Sequence, residues 1–148
     1  MQLENCVYDF FELTTLNMAQ QGVFGEVLHT EGAYIHNLED FWPYYWNNWR
    51  MDYNQNHRGD VYATHGMGPL PAARHSPCDK MNYLVSMDTK AVNGPAYIKK
   101  TTGKEVKDFQ NGDQTSTLIR TEKGKTILIQ HNVNDSASLQ PYVSGSRC

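Results

Sequence analysis

The chain has 148 residues, a net charge of −3 and three cysteines. That length suits one domain whose core removes roughly 70% of the unfolded surface from water. The slight negative charge excludes the basic footprint of a nucleic-acid or anionic-membrane binder, and no apolar run nears the ~20 residues that span a bilayer. The opening MQLENCVYDFFE has neither the basic start nor the apolar stretch of a signal peptide. Cys6, Cys78 and Cys148 are widely spaced and odd in number, so no disulfide framework or zinc pattern is expected.

In chain order, residues 9–21 read as a helix, with Asp9 and Glu12 as a capping pair, Phe10, Leu13 and Leu16 along one face, and Gly22 as the stop. The preceding MQLENCVY reads as a strand end, which would put Asn5 and Tyr8 at a strand-to-helix junction, a common ligand position. Residues 26–36 suit a strand with polar groups on both faces. All three tryptophans fall in 38–53 with Phe41, Tyr44, Tyr45 and Tyr53. Such aromatics anchor a loop to the body or stack on flat ligands and sugar rings.

Residues 49–69, WRMDYNQNHRGDVYATHGMGP, read as an ordered irregular loop facing a polar ligand, since disordered segments are poor in aromatics. Three prolines between 69 and 77 forbid a regular helix there. Residues 82–88 are strand-like, and 95–110 form a polar connection with room for a short helix. QTSTLIRTE (114–122), KGK and TILIQHNV (126–133) make the clearest hairpin. About two helices and five strands suit an α+β domain on an open, mixed or antiparallel sheet.

For chemistry, His65 stands between Thr64 and a glycine, where a histidine serves either as acid, base or donor or as a turn-former. His57 lies eight residues away with no third ligand at a recognisable spacing, so no metal is expected. Arg50 either forks onto substrate oxygens or pairs with Asp52 or Glu39. His75 and His131 read as surface or structural residues. There is no G-x-S-x-G, G-x-G-x-x-G or P-loop.

The segments ENCVYD, LNMAQQGVFGEVLHTEGAYIHNL, WR-x-x-Y-N-x-x-H-x-G-D-x-Y-x-THG-x-GP and NYLVSM together resemble the C-terminal half of glycoside hydrolase family 109, within the Gfo/Idh/MocA oxidoreductases. The resemblance runs from about Gln2 to Tyr142. It implies that residues 1–148 are a partial substrate-binding domain, lacking an N-terminal Rossmann domain and the final strands. The activity it implies is an α-N-acetylgalactosaminidase in which NAD oxidises the sugar's C3 hydroxyl. The ketone then acidifies the C2 proton, the leaving group is eliminated, water adds and the hydride returns. The carbonyl stabilises the carbanion, so no carboxylate pair is needed.

By motif, Asn5 resembles a cofactor contact, and Tyr8 and His65 resemble acid/base residues. Tyr34, Arg50, the Tyr62–Ala63–Thr64–His65 run and Tyr142 resemble substrate contacts, with Tyr62 also reaching NAD. Ala63 stands where the family usually has proline, and Met67 where it has leucine. The partners implied are a carbohydrate and, through the open sheet, another copy of the chain; the compartment is bacterial cytoplasm or periplasm. This chain alone is expected to be inactive. Two other readings stay open: part of an NAD(P)-dependent sugar dehydrogenase, and a non-catalytic sugar-binding or assembly module.

Residues 70–78 depart from the family pattern. One permitted set of codons for Pro71–Pro77, read one base later, gives Q-R-L-D-I-H-R, close to the family's own text. A compensated frameshift is therefore expected across 71–78, with a second slip after Tyr142.

Overall fold

A computed structural model of the chain describes residues 5–68 and 79–133. The proline-rich stretch, the expected frameshift and Tyr142 lie outside the described residues. Four strands form one open sheet: β1 (His29–Ile35), β2 (Met81–Asp88), β3 (Gln114–Thr121) and β4 (Thr126–Asn132), in the order β1-β4-β3-β2. β1 runs parallel to β4, and the other two pairings are antiparallel. The expected α+β class and mixed open sheet are both present. The hairpin closes at Arg120↔Thr126, and its last rungs are Thr115↔His131 and Gln114↔Asn132. In TILIQHN the period-2 alternation sends Ile127, Ile129 and His131 to one face, beside Ile119 and Thr115 of β3 and Gly32 and Tyr34 of β1.

The helices among the described residues are α1 (Phe10–Gln20), α2 (Trp49–Asn56), α3 (Ala63–Met67) and α4 (Asn93–Thr102), and α3 is the one that packs on that face. Two 3-10 turns, Asn5–Tyr8 and Glu39–Tyr45, complete the order among the described residues. α3 lies on β1 and β4, and the Asn5–Tyr8 turn lies against α3. Close approach depends on Gly66: a Cβ there would stand 2.9 Å from Ile129 Cγ2 and 3.4 Å from the Gly32 carbonyl carbon. A second core, Leu38, Trp42, Met51, Ile98 and Val133, joins the helices beyond the end of β4. On the opposite face of the sheet Tyr83, Val85, Met87 and Leu118 are exposed.

Several expectations are corrected. Residues 49–68 are largely helical, because the Asn48 side chain accepts the Arg50 N–H and caps α2. Asn5–Tyr8 is a 3-10 turn rather than a strand end. Asp9 precedes α1 without a side-chain cap bond, and of the stripe expected to pack, Phe10 is 86% and Leu13 42% exposed while Leu16 is half-buried. Val7, Glu12 and Ala19 are the buried residues in that region.

Buried polar side chains tie the helices to the sheet. The Asn111 amide donates to Asn54 Oδ1 at 2.8 Å, and the Asn54 amide donates to the Arg50 carbonyl at 2.7 Å. Asp113 accepts the N–H groups of Val92 (3.0 Å) and Asn93 (2.9 Å) at the start of α4. Gly112 between them has no room for a side chain: an added Cβ would sit 2.2 Å from the Thr89 carbonyl oxygen. Since backbone cannot rotate away as a side chain does, Gly112→Ala is expected to cost about 3 kcal/mol. Urea unfolding checks this as a lowered midpoint at unchanged slope.

Candidate functional site

The site forms where α2, the 57–62 loop and α3 cross the ends of β1 and β4. The loop is fixed first. Arg58 donates twice to Asp88, at 2.9 and 2.8 Å, and the Gly59 N–H donates to Asn111 Oδ1 at 3.0 Å. These bonds turn Asp60 inward, where its carboxylate accepts the Tyr62 N–H at 2.8 Å. Tyr62 then opens α3, and the His65 N–H returns to the Tyr62 carbonyl at 2.9 Å.

Tyr34, Tyr62 and His65 pack as one cluster. Ring centroids lie 4.6 Å apart for Tyr34–Tyr62, 4.9 Å for Tyr34–His65 and 6.0 Å for Tyr62–His65. Arg50 joins from α2. Its Nε donates to the Tyr62 hydroxyl at 2.9 Å, and its guanidinium lies 4.4 Å from the Trp49 ring centre and 5.2 Å from that of Tyr45. Burial raises the hydroxyl pKa of Tyr34 and of Tyr62; Arg50 pulls both back. Both phenols therefore stay protonated and donate near neutral pH.

Four sequence-predicted residues thus share one place, Tyr34, Arg50, Tyr62 and His65, and Ala63 follows Tyr62 as the first residue of α3. Thr64 is on the same helix, with an exposed side chain. Tyr8 is 56% exposed on the turn packed against α3, and Asn5 begins that turn. No group of three or more His, Cys, Asp or Glu side chains suited to a metal occurs among the described residues.

Two residues of the cluster escaped the sequence reading. His131, expected at the surface or as a structural residue, is fully buried under Tyr34 (6.1 Å, stacked) and Tyr62 (5.8 Å). Neither ring nitrogen has a hydrogen-bond partner among the described residues. The Asp60 carboxylate comes within 3.9 Å of His131 Nε2. Burial pushes Asp60 up to about 6, with the Tyr62 N–H pulling the other way, and pushes His131 down to about 4. The short approach favours an ion pair, but desolvation of two nearly sealed groups outweighs it. At pH 5 the pair is neutral, with the proton on Asp60. The signal for His131 was in the hairpin, where it continues the Ile127, Ile129 face.

This architecture has known relatives. A profile of the glycosyl hydrolase 109 C-terminal domain matches residues 8–148. A glycosyl hydrolase family 109 protein of Bacteroides fragilis is 92% identical over 137 residues, covering 90% of this chain and 29% of that protein. A Bacteroides thetaiotaomicron relative is 84% identical over 134 residues with the same shares. The chain therefore spans under a third of these relatives' length. Among solved structures, an Azotobacter vinelandii inositol dehydrogenase homolog complexed with NADH and myo-inositol superposes with a TM-score of 0.56. It is 18% identical and is matched over 86% of this chain and 29% of its own length, which establishes a common Gfo/Idh/MocA C-terminal fold. Profile, relatives and fold agree that the chain belongs to glycosyl hydrolase family 109, in its C-terminal domain.

Proposed function

We propose that this chain is the sugar-facing part of an NAD-dependent glycosidase acting on α-N-acetylgalactosaminides. One observation supports the reading above the rest: Tyr34, Tyr62, His65 and Arg50 converge from β1, α3 and α2, uniting flat rings, hydroxyl donors and a cation. A pyranose needs that combination, with ring faces for its C–H surface and donors for its hydroxyls.

The residues present fit NAD at its nicotinamide end only. Tyr62 and the Asn5 turn beside α3 would contact that ring. The single parallel strand pair among the described residues, β1–β4, has no glycine-rich turn into a helix to seat the pyrophosphate. When bound, NAD would supply reversible hydride transfer at the sugar's C3 carbon. This chain's residues do the rest: Arg50 and Tyr34 orient the ring by its oxygens, and the His65 imidazole and Tyr8 phenol oxygen exchange protons with the sugar. His65 is suited to this because a neutral imidazole carries one nitrogen that donates and one that accepts.

The test completes the protein. Fused behind the N-terminal portion of the Bacteroides fragilis relative, the chain is expected to release the aryl group of an aryl α-N-acetylgalactosaminide without net NADH. Steady NADH accumulation would assign a dehydrogenase instead. A folded, NAD-binding fusion that does neither contradicts the proposal.

A further inference from the structure

The proposed chemistry leaves one buried polar pair unused, Asp60 with His131. Tyr34, His131 and Thr115 occupy one row across the ends of β1, β4 and β3. The Tyr62 ring lies over the first two, 4.6 Å from Tyr34 and 5.8 Å from His131. The inward positions of β4 before this row are Ile127 and Ile129, and an apolar side chain at 131 would continue them. Instead, both His131 ring nitrogens and the neighbouring Thr115 Oγ1 are buried without a hydrogen-bond partner among the described residues. Unpaired buried polar groups are costly to a fold, and positions that break local rules at such a cost are where function is expected.

The cost falls where it touches the site. Asp60 Oδ1 accepts the Tyr62 N–H at 2.8 Å, and the same oxygen faces His131 Nε2 at 3.9 Å. Tyr62 in turn opens α3 and takes the His65 N–H on its carbonyl at 2.9 Å. One carboxylate oxygen therefore sets where Tyr62 and His65 stand, and one imidazole faces that oxygen from the sheet. An Nε2–H directed at Oδ1 holds the carboxyl in place by its dipole. At 3.9 Å it is beyond hydrogen-bonding reach, so it does not draw Oδ1 away from Tyr62. Packing does not account for the pair, since apolar replacements of buried charged partners are commonly neutral or stabilising.

We propose that Asp60 and His131 are positioning residues of the sugar site: His131 steadies the Asp60 carboxyl, and Asp60 fixes Tyr62 and His65 so that they face the same ligand as Tyr34. Neither touches that ligand, because His131 is fully buried and the Asp60 side chain nearly so. The proposal rests on the sugar-site reading above and adds the two buried residues that hold the surface in place.

The experiment titrates the full chain at pH 7 with methyl α-N-acetylgalactosaminide by saturation-transfer NMR, beside urea unfolding and hydrogen exchange of the Tyr62 N–H. The double variant Asp60→Ala, His131→Phe removes both polar groups. Its urea midpoint is expected to be no lower than that of the wild type, because it no longer buries a carboxylate that desolvation opposes. Its affinity is nonetheless expected to fall about tenfold, and its Tyr62 N–H to exchange at least about tenfold faster, the scale of one lost charge-assisted hydrogen bond. Asp60→Ala alone should show the same two losses, so the outcome does not depend on the double variant folding. Asp60→Asn keeps an acceptor for Tyr62 and His131→Gln keeps a donor for Asp60, so each should stay within about threefold of wild-type affinity. Wild-type affinity in the alanine variants overturns the positioning role and leaves the sugar site standing. So do affinities that simply follow the urea midpoints, or losses in Asp60→Asn and His131→Gln as large as in the double variant. A wild-type chain that binds no methyl glycoside overturns the sugar site and this role with it.

Discussion

Between about pH 4 and pH 6, Asp60→Asn is expected to make stability climb with pH, and His131→Phe to make it fall, while the contribution of the intact pair stays level. The native Asp60 carboxyl titrates at about 6 and its unfolded form at about 3.8. Within that window the folded chain holds a proton that the unfolded chain has released, so rising pH destabilises. His131 is the reverse: its unfolded form titrates at about 6.5 and its native form at about 4, so rising pH stabilises. Each slope approaches about 1.4 kcal/mol per pH unit. Over the window each is worth on the order of 2–3 kcal/mol, and in the intact pair they cancel. Asp88 and Glu105, whose pKa values are lowered by Arg58 and Lys99, act mainly at the acid end and are common to all three proteins. Urea unfolding at four pH values checks this. Parallel pH profiles for the three proteins would mean the two groups are not buried together.

Arg50 carries the second large expectation. Arg50→Lys and Arg50→Ala should both weaken sugar binding by at least about tenfold, with lysine rescuing little. A lysine ammonium lacks the planar fork that lies on Trp49 and Tyr45 while donating to Tyr62. A hydrogen bond from a charged donor contributes about 1.5–3 kcal/mol, which sets the scale. Tyr62→Phe should remove much of the same effect, so the double variant should lose far less than the two single losses added. Either Arg50 variant should also raise the Tyr62 phenol pKa further, because burial then acts with less opposition. Ultraviolet titration of tyrosinate reads that shift. Fully additive losses with an unmoved Tyr62 titration would show that the two residues act apart.

Parts of this arrangement were legible in the residues, and the missed parts have physical causes. The hairpin was legible because TLIRT and TILIQ alternate across a KGK turn. The Tyr62–His65 run was legible through its motif. The polarity of 49–56 hid α2, whose start depends on one capping amide from Asn48. The Phe10, Leu13, Leu16 stripe has helical spacing, but spacing does not say what lies opposite, and Phe10 and Leu13 remain exposed. Asp60 and His131 are 71 positions apart and meet only because β1 pairs with β4 in parallel and α3 lies across both. Their meeting is a property of the topology, with no local signature beyond the alternation that turns His131 inward.

The central claim is that Tyr34, Arg50, Tyr62 and His65 form one sugar-binding surface. Saturation-transfer NMR of the full chain with an aryl α-N-acetylgalactosaminide tests it most directly. Transfer to the sugar ring protons and the acetamide methyl is expected, strongly reduced by His65→Ala and by Tyr34→Ala, and unaffected by Leu118→Ala on the opposite face of the sheet. Transfer confined to the aryl group, or equal transfer in the wild type and both site variants, would contradict it.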